Sequence, residues 1–287
     1  MTRDTIEKII NTLKKQGKEE GKLPLLLEFY SDLLNVQAEA FERIGVLQPT
    51  ITTRAIMNRL TQGKPLVTFD EMRLDWTLLR QVFIRVIKVF DKYPGLFGEI
   101  PAQLKRNGDG RLLTKKAVKA WLAGKALPPR LNEDTSGELV QAIIQATLYP
   151  FLAAHAEPLR GSIRPEHWHQ GYCPVCGGSP DIAYLEKEVG ARRLVCSRCD
   201  TEWQFHRMVC PYCRTQDQHS LSFLSDERDL YRLYLCGECR CYLKAIDLRK
   251  TDAGVLMPLE RIYTLDLDKQ AKELGYRSCR SQVAGAE

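Results

Sequence analysis

The sequence predicts an α+β protein, in which an all-α N-terminal domain precedes two small tandem β modules. Two observations carry this prediction. Apolar side chains recur at helical spacing along the first half of the chain. All ten cysteines lie between residues 173 and 279, and eight of them form four Cys-x-x-Cys pairs separated by β-rich runs. We therefore expect a helical domain, two four-Cys modules and a C-terminal extension, over residues 1–165, 166–209, 210–250 and 251–287.

The helices of the first domain are predicted from their apolar stripes. The clearest runs from 74 to 90, where large apolar residues recur three and four positions apart. Gly45 is expected to end a preceding helix, since glycine adopts the left-handed conformation that closes helices, and Pro150 is expected to kink the last one. The predicted helices are 4–16, 25–44, 74–90, 112–123 and 138–155.

The first domain shows no sign of catalytic chemistry. It contains no Ser/His/Asp set, no glycine-rich phosphate loop and no His-Glu-x-x-His motif. No apolar run approaches the ~20 residues that span a bilayer. The N-terminus also lacks the apolar core of a signal peptide. We expect a cytoplasmic protein that does not insert into a membrane and is not an enzyme.

The four cysteine pairs predict two metal sites. A Cys-x-x-Cys pair turns both sulfurs to one side of a tight loop, and two facing loops make a tetrahedral four-thiolate site. Nineteen residues separate the first two pairs and 22 separate the last two, which suits a hairpin between loops. The simplest pairing is sequential, so that site one is Cys173, Cys176, Cys196 and Cys199, and site two is Cys210, Cys213, Cys236 and Cys239.

The runs between these pairs repeat one pattern of strands. In each copy a strand leaves the first pair, a second strand enters the second pair and a third leaves it, as in rubredoxin-like or zinc-ribbon modules. The predicted strands are 182–189, 192–195 and 203–209 in the first copy, and 221–224, 230–235 and 242–248 in the second. Beyond them, an extended piece at 262–267 and a short helix at 268–274 are expected.

Two four-thiolate metal ions per chain are the predicted cofactors. Tetrahedral sulfur accepts zinc and iron alike, so the spacing leaves both metals open. A disulfide framework is disfavoured by the close pairs and the absence of a signal peptide. Cys241 and Cys279 lie outside both sites. Either they are a small buried residue and a tail thiol, or Cys241, beside Arg240, is a reactive thiol in a redox protein.

A His-Trp-His segment, residues 167–169, lies shortly before the first cysteine pair. His167 and His169 are close enough to Cys173 to be considered as ligands. Because each site already has four sulfurs, we interpret both histidines as packing residues at the domain boundary. Trp168 is expected to anchor the modules on the helical domain.

The formal net charge of +6 is unevenly distributed. Residues 1–165 carry 25 Lys/Arg against 18 Asp/Glu, whereas residues 166–287 carry 17 against 18. Nucleic-acid binding by the modules is disfavoured, because a phosphate backbone is bound by clustered Lys and Arg. It stays open as an alternative, since arginines are interleaved with aromatic residues that could stack on bases. These are Arg192, Arg193, Arg198, Arg207 and Arg214, with Trp203, Phe205 and Tyr212.

The cysteine half resembles a known family, the formate dehydrogenase accessory proteins of FdhE type. The resemblance covers about 165–280 and rests on the four pairs in order and on the residues around them. Two positions depart from the family pattern, Cys241 and the Arg261-Ile262-Tyr263 segment. The motifs that carry the likeness are Gly171–Pro180, Leu194–Cys199, Glu202-Trp203, Cys210/Cys213, Cys236/Cys239, Tyr242–Lys244, Leu265–Asp268 and Glu273–Tyr276.

The resemblance implies a specific function. Members are cytoplasmic, non-catalytic maturation factors, or chaperones, that act on the catalytic subunit of respiratory formate dehydrogenase. That enzyme contains molybdenum or tungsten. Members bind metal through the cysteine loops, and the family suggests iron. The partner implied is therefore the formate dehydrogenase catalytic subunit, with a homo-oligomer left open.

Overall fold

The computed structural model describes residues 3–19, 24–106, 110–131 and 137–279. They form two compact units. One comprises Met1–Gln48 and Phe69–Pro158, and the other comprises Pro49–Thr68 and Leu159–Glu287. The first unit is helical and the second contains a sheet, so the predicted α+β class is confirmed. The four domain limits proposed from the sequence remain predictions.

Ten α-helices lie along the described residues. Several start at a side chain that accepts a backbone N–H, as Asp75 does from Thr77 at 2.9 Å and from Leu78 at 3.0 Å. The helices are α1 (Arg3–Glu19), α2 (Leu25–Ile44), α3 (Thr53–Thr61), α4 (Trp76–Asp91), α5 (Pro94–Phe97), α6 (Ala102–Lys105), α7 (Lys115–Leu122), α8 (Gly137–Ala156), α9 (Met257–Tyr263) and α10 (Leu265–Glu273).

The five helices predicted in the first domain correspond to α1, α2, α4, α7 and α8. Gly45 closes α2 with a φ of 67°. The sequence predicts no helix at α3, α5 or α6. The extended piece expected at 262–267 is wrong, because α9 and the start of α10 occupy it, whereas the helix expected at 268–274 corresponds to the rest of α10. The missed helices have nine residues or fewer, and such short helices take their stability mainly from tertiary packing rather than from their own sequence.

The core of the helical unit lies between α2, α4 and α8. Phe29 of α2 packs edge-on against Phe90 of α4, with ring centroids 4.9 Å apart. Pro150 has no N–H, so the carbonyl of Ala146 one turn earlier lacks its helical partner. The buried side chain of Gln37 donates to that carbonyl at 2.9 Å. A polar residue in the core of α2 is thus explained by a proline in α8.

By length and composition alone, the segment Gly137–Ser162 is long and apolar enough to cross a membrane, contrary to the expectation that no apolar run is long enough. However, 72 % of its apolar window is buried within the protein. The core helix of a soluble protein passes the same test, so this segment is weak evidence for a membrane span.

The second unit is built on one six-stranded sheet. The strands are β1 (Pro180–Leu185), β2 (Arg192–Cys196), β3 (Glu202–Gln204), β4 (Leu221–Ser225), β5 (Tyr231–Cys236) and β6 (Tyr242–Asp247). Their order in the sheet is β3-β2-β1-β6-β5-β4, with antiparallel pairing inside each module. Four strands match the prediction within one residue at each end. The other two were predicted too long, because β1 ends at Leu185 rather than at residue 189 and β3 ends at Gln204 rather than at residue 209.

The two modules are joined through a parallel pairing of β1 with β6, in which Ile182 lies opposite Lys244. The tandem modules expected from the sequence therefore share one continuous sheet. Tyr212, from the first loop of the second module, strengthens the junction. Its hydroxyl lies 3.1 Å from the carbonyl of Pro180 and 3.2 Å from that of Tyr242, so it reaches both central strands.

The C-terminal extension is held against this sheet by buried charges. The Lys244 side chain is fully buried in β6, and its Nζ lies 2.6 Å from Oδ2 of Asp268 in α10. It also donates to the carbonyls of Arg261 and Thr264. The hydroxyl of Tyr242 donates to the other oxygen of Asp268 at 2.6 Å. A buried lysine requires such a set of acceptors, so α10 has one position on the sheet.

One prediction concerns His155 near the end of α8. Its Nδ1 lies 2.7 Å from the carbonyl of Phe151, and its Nε2 accepts the backbone N–H of Arg73 at 3.1 Å. This arrangement requires the neutral ring, and burial lowers the pKa of His155. The unfolded chain therefore binds the proton at a higher pH than the folded one. The free energy of unfolding of the helical unit should fall as the pH drops below the ordinary histidine pKa.

The measurement is urea unfolding of the full chain at a series of pH values, with amide exchange of α8 peptides as the probe. His155→Gln cannot titrate, so its free energy of unfolding should depend less steeply on pH between roughly pH 7 and pH 5. Parallel curves for the two proteins would contradict the assignment.

Candidate metal centre

The four Cys-x-x-Cys loops adopt one backbone conformation. The residue after the second cysteine is left-handed in every loop, with φ between 52° and 71°. Only the first loop uses glycine there; the other three use residues for which this conformation costs about 1 kcal/mol or more. The four residues are Gly177, Asp200, Arg214 and Arg240. Such strain is tolerated where the surrounding structure fixes it, as a pair of closing hydrogen bonds does here.

Each loop is closed by the same two hydrogen bonds. The N–H of the left-handed residue donates to the carbonyl of the first cysteine, at distances from 2.9 to 3.2 Å. The N–H of the first cysteine donates to the carbonyl of the residue that follows the left-handed one, at distances from 2.8 to 3.0 Å. Those closing residues are Gly178, Thr201, Thr215 and Cys241. Because the four loops share this conformation, the eight sulfurs occupy equivalent positions in them.

The structure brings the eight predicted cysteines together in the predicted sets of four. Within each set the sulfurs lie within 4.8 Å of one another. In site one, the sulfurs of Cys173 and Cys199 are 3.6 Å apart, and those of Cys176 and Cys196 are 3.5 Å apart. In site two, the Cys210–Cys239 and Cys213–Cys236 distances are 3.7 and 3.6 Å.

These distances fit a tetrahedral metal. Four sulfurs at about 2.3 Å from a zinc ion lie about 3.8 Å from one another. In site one, backbone N–H groups also point at sulfur, from Val175 to Cys173 at 3.4 Å and from Arg198 to Cys196 at 3.4 Å. Such bonds favour the thiolate form that a metal requires. The donor set suits zinc or iron and is too soft for calcium or magnesium.

The thiols of both sites have strongly perturbed pKa values. Burial raises the pKa of Cys173 and Cys196 in site one, and that of Cys210 in site two. Burial acts the same way on Cys199, but its hydrogen bonds with the other three thiols and with Thr201 outweigh burial and lower its pKa. Because thiolates are the form that binds metal, binding of a divalent cation to such a group of four hydrogen-bonded thiols would release their protons.

Comparison with known proteins agrees with this geometry. Residues 172–207 match the family model for the central domain of FdhE. A curated FdhE homolog from Klebsiella pneumoniae is 33 % identical over 273 residues, which cover 88 % of each chain. The chain belongs to the FdhE family. The resemblance inferred from the sequence is thereby confirmed.

Two further relatives extend the likeness of this FdhE-family protein to nearly its full length. An FdhE homolog from Aquifex aeolicus is 28 % identical over 272 residues, or 93 % of this chain and 89 % of that one. The crystal structure of the FdhE protein from Pseudomonas aeruginosa superposes with a TM-score of 0.64 at 21 % identity, covering 100 % of this chain and 98 % of that one. The second match establishes a shared fold.

The first loop of this FdhE-family chain is braced by a segment that the sequence did not identify. The N–H groups of Leu66 and Val67 donate to the carbonyls of Pro174 and Val175, both at 2.9 Å. The Tyr172 hydroxyl donates to the carbonyl of Gly63 at 2.8 Å. These contacts link residues more than 100 positions apart and leave no local pattern in the sequence.

Gly171 shows how closely the second module packs on the first. A Cβ at this position would lie 1.8 Å from the carbonyl oxygen of Pro211, in the first loop of site two. Only glycine fits there. Nearby, Trp168 is buried and donates its indole N–H to the carbonyl of Tyr172 at 2.9 Å. His167 and His169 lie outside both groups of sulfurs among the residues described.

The two remaining cysteines form a disulfide, Cys241–Cys279, with Cα atoms 5.8 Å apart. The interpretation of Cys241 and Cys279 as a lone buried residue and a tail thiol is therefore wrong. The pair ties the residues after α10 to the start of β6, next to site two. Both residues are at most 3 % exposed, so an attacking thiolate has poor access to either sulfur. This burial argues against thiol exchange.

Half of the eight residues of the alternative nucleic-acid surface are buried. Arg192 and Arg198 are 2 % and 3 % exposed, and Trp203 and Phe205 are also buried. Arg193 donates to Glu186, whereas Arg207 and Arg214 are exposed. The four buried residues therefore help to build the first module and are not available to stack on bases.

The disulfide gives a direct test by thiol counting. The protein is purified in air, unfolded with a chelator present, and alkylated before and after reduction. Mass spectrometry should find eight modified cysteines before reduction and ten after it, because Cys241 and Cys279 are already bonded. Ten alkylated cysteines before reduction would contradict the pairing. Cys241→Ser/Cys279→Ser serves as a control, with eight modified cysteines under both conditions.

Proposed function

We propose that this protein is a cytoplasmic, non-catalytic accessory factor that assists the maturation of formate dehydrogenase by binding its catalytic subunit. Two observations together carry the proposal. The chain aligns with an FdhE homolog over 88 % of both lengths, and it holds eight thiols in two groups of four. The sequence resemblance supplies the client. The metal groups supply the rigid framework that a binding surface requires.

Each of the eight clustered cysteines is proposed as a metal ligand, with one ion per site. Site one (Cys173, Cys176, Cys196 and Cys199) would hold one ion, and site two (Cys210, Cys213, Cys236 and Cys239) would hold the other. Each ion would offset the charge of four adjacent thiolates. Each loop pair belongs to a module of about 40 residues, which is too small to fold on a core of its own. Metal binding therefore contributes directly to the free energy of folding of this unit.

Metal content follows from this assignment. Protein purified without air should contain two ions per chain by elemental analysis, as zinc or as iron with thiolate charge-transfer absorption. Cys173→Ser/Cys176→Ser removes two of the four ligands of site one and should bind one ion. Cys241→Ser/Cys279→Ser leaves both sites intact and should still bind two. A double variant of site one that keeps two ions would show that its sulfurs are not the ligands.

The client is tested by co-purification and by complementation. In the source organism, the tagged chain should retain the catalytic subunit of formate dehydrogenase, whereas Cys173→Ser/Cys176→Ser should retain less than a tenth of that amount, since its first module lacks the metal ion that stabilises it. Deleting the gene should lower formate dehydrogenase activity, and a plasmid copy of the unaltered gene should restore it. Full activity in the deletion strain, together with no retained subunit, would overturn the proposal.

A further inference from the structure

Arg192, at the start of β2 in the first module, is buried in an unusual setting. Its side chain is 2 % exposed. The guanidinium carbon lies 5.4 Å from the ring centroid of Phe205 and 5.6 Å from that of Tyr234, which belongs to β5 of the second module. An arginine of one module is thus held between aromatic rings of both modules.

The hydrogen bonds of Arg192 leave its charge unpaired. Its Nη2 donates to the carbonyls of His206 and Val209, the latter at 2.6 Å. None of the ion pairs among the described residues involves Arg192. Its Nε and the hydroxyl of Tyr234 are both buried without a hydrogen-bond partner. Burying a cation without an anion nearby is strongly unfavourable, so a counter-charge is expected close to it.

Arg192 lies beside site two. Arg192 and Tyr234 line a cavity of about 30 Å³ together with Cys210 and Cys236, a space for about two water molecules. Burial lowers the pKa of Arg192 to about 10, and the neighbouring cation Arg207 acts in the same direction, whereas Tyr234, Cys210 and Tyr212 act in the opposite direction. No carboxylate is among these groups. Four thiolates around a divalent cation carry a net negative charge, which matches the isolated guanidinium.

We propose that Arg192 is the buried counter-charge of site two, supplied by the first module to stabilise the metal-bound thiolates of the second. This inference rests on the proposed metal sites. In this role Arg192 is a positioning residue and does not itself bind the metal. Its guanidinium acts on the ligands across the cavity and through its hydrogen bond to the carbonyl of Val209, the residue before Cys210. It also means that the first module contributes to metal retention in site two, in addition to sharing a sheet with the second module.

The test uses full-length protein loaded with ¹¹³Cd, which gives a separate NMR signal for each site, and follows the transfer of the ion to a chelator. Arg192→Gln removes the charge, and Arg192→Lys keeps it. Arg193→Gln is the matched control. Arg193 is the next residue in the chain, and its side chain donates to Glu186, which follows β1, rather than facing site two. Arg192→Gln should release cadmium from site two about tenfold faster, the effect typical of altered groups behind metal ligands, with site one changed less than twofold.

The lysine variant separates charge from structure. Arg192→Lys should release cadmium from site two at a rate within about threefold of the unaltered protein, because the positive charge remains beside the thiolates. If Arg192→Lys loses the ion as fast as Arg192→Gln, or if Arg192→Gln releases it no faster than Arg193→Gln, the inference fails. Failure of the unaltered protein to bind two cadmium ions would instead overturn the metal sites themselves.

Discussion

Eight thiols in two groups of four, each within 4.8 Å, impose the constraint on which the sheet-containing unit depends. Thiolates this close repel one another. Protonated thiols at this spacing are buried polar groups that form only weak hydrogen bonds with one another. A divalent cation resolves both problems. The geometry of the loops serves that one arrangement, since the left-handed residue and its two closing hydrogen bonds recur in all four of them.

The modules would be marginal as separate bodies, and the structure shows how they support each other. The parallel pairing of β1 with β6 places them in one sheet. The C-terminal helices then cover that sheet, held by Lys244 and Asp268 and by Arg261. The guanidinium of Arg261 bonds Asp181 and Asp200 and donates to the carbonyl of Cys196 at 2.9 Å. Arg261 therefore links α9 to the second loop of site one.

Local patterns carried most of what the sequence predicted. The cysteine spacing predicted both sets of four sulfurs and the hairpins between them, because each loop is closed within six residues. Apolar periodicity predicted the long helices for the same reason. The features that the sequence did not predict are contacts between residues far apart in the chain, or depend on a single contact. Nothing in the sequence signals the β1–β6 pairing, the brace from Leu66 and Val67, or the Cys241–Cys279 bond. The third strand was predicted too long, because the carbonyls of His206 and Val209 turn toward Arg192 instead of continuing the sheet.

The central claim is that each group of four sulfurs holds one metal ion. X-ray absorption spectroscopy at the edge of the bound metal tests it most directly, on protein purified without air and without added metal. The account predicts four sulfur neighbours per ion, at about 2.3 Å if the metal is zinc, with no nitrogen or oxygen in the first shell. A first shell containing nitrogen or oxygen ligands, or fewer than four sulfurs, would contradict it.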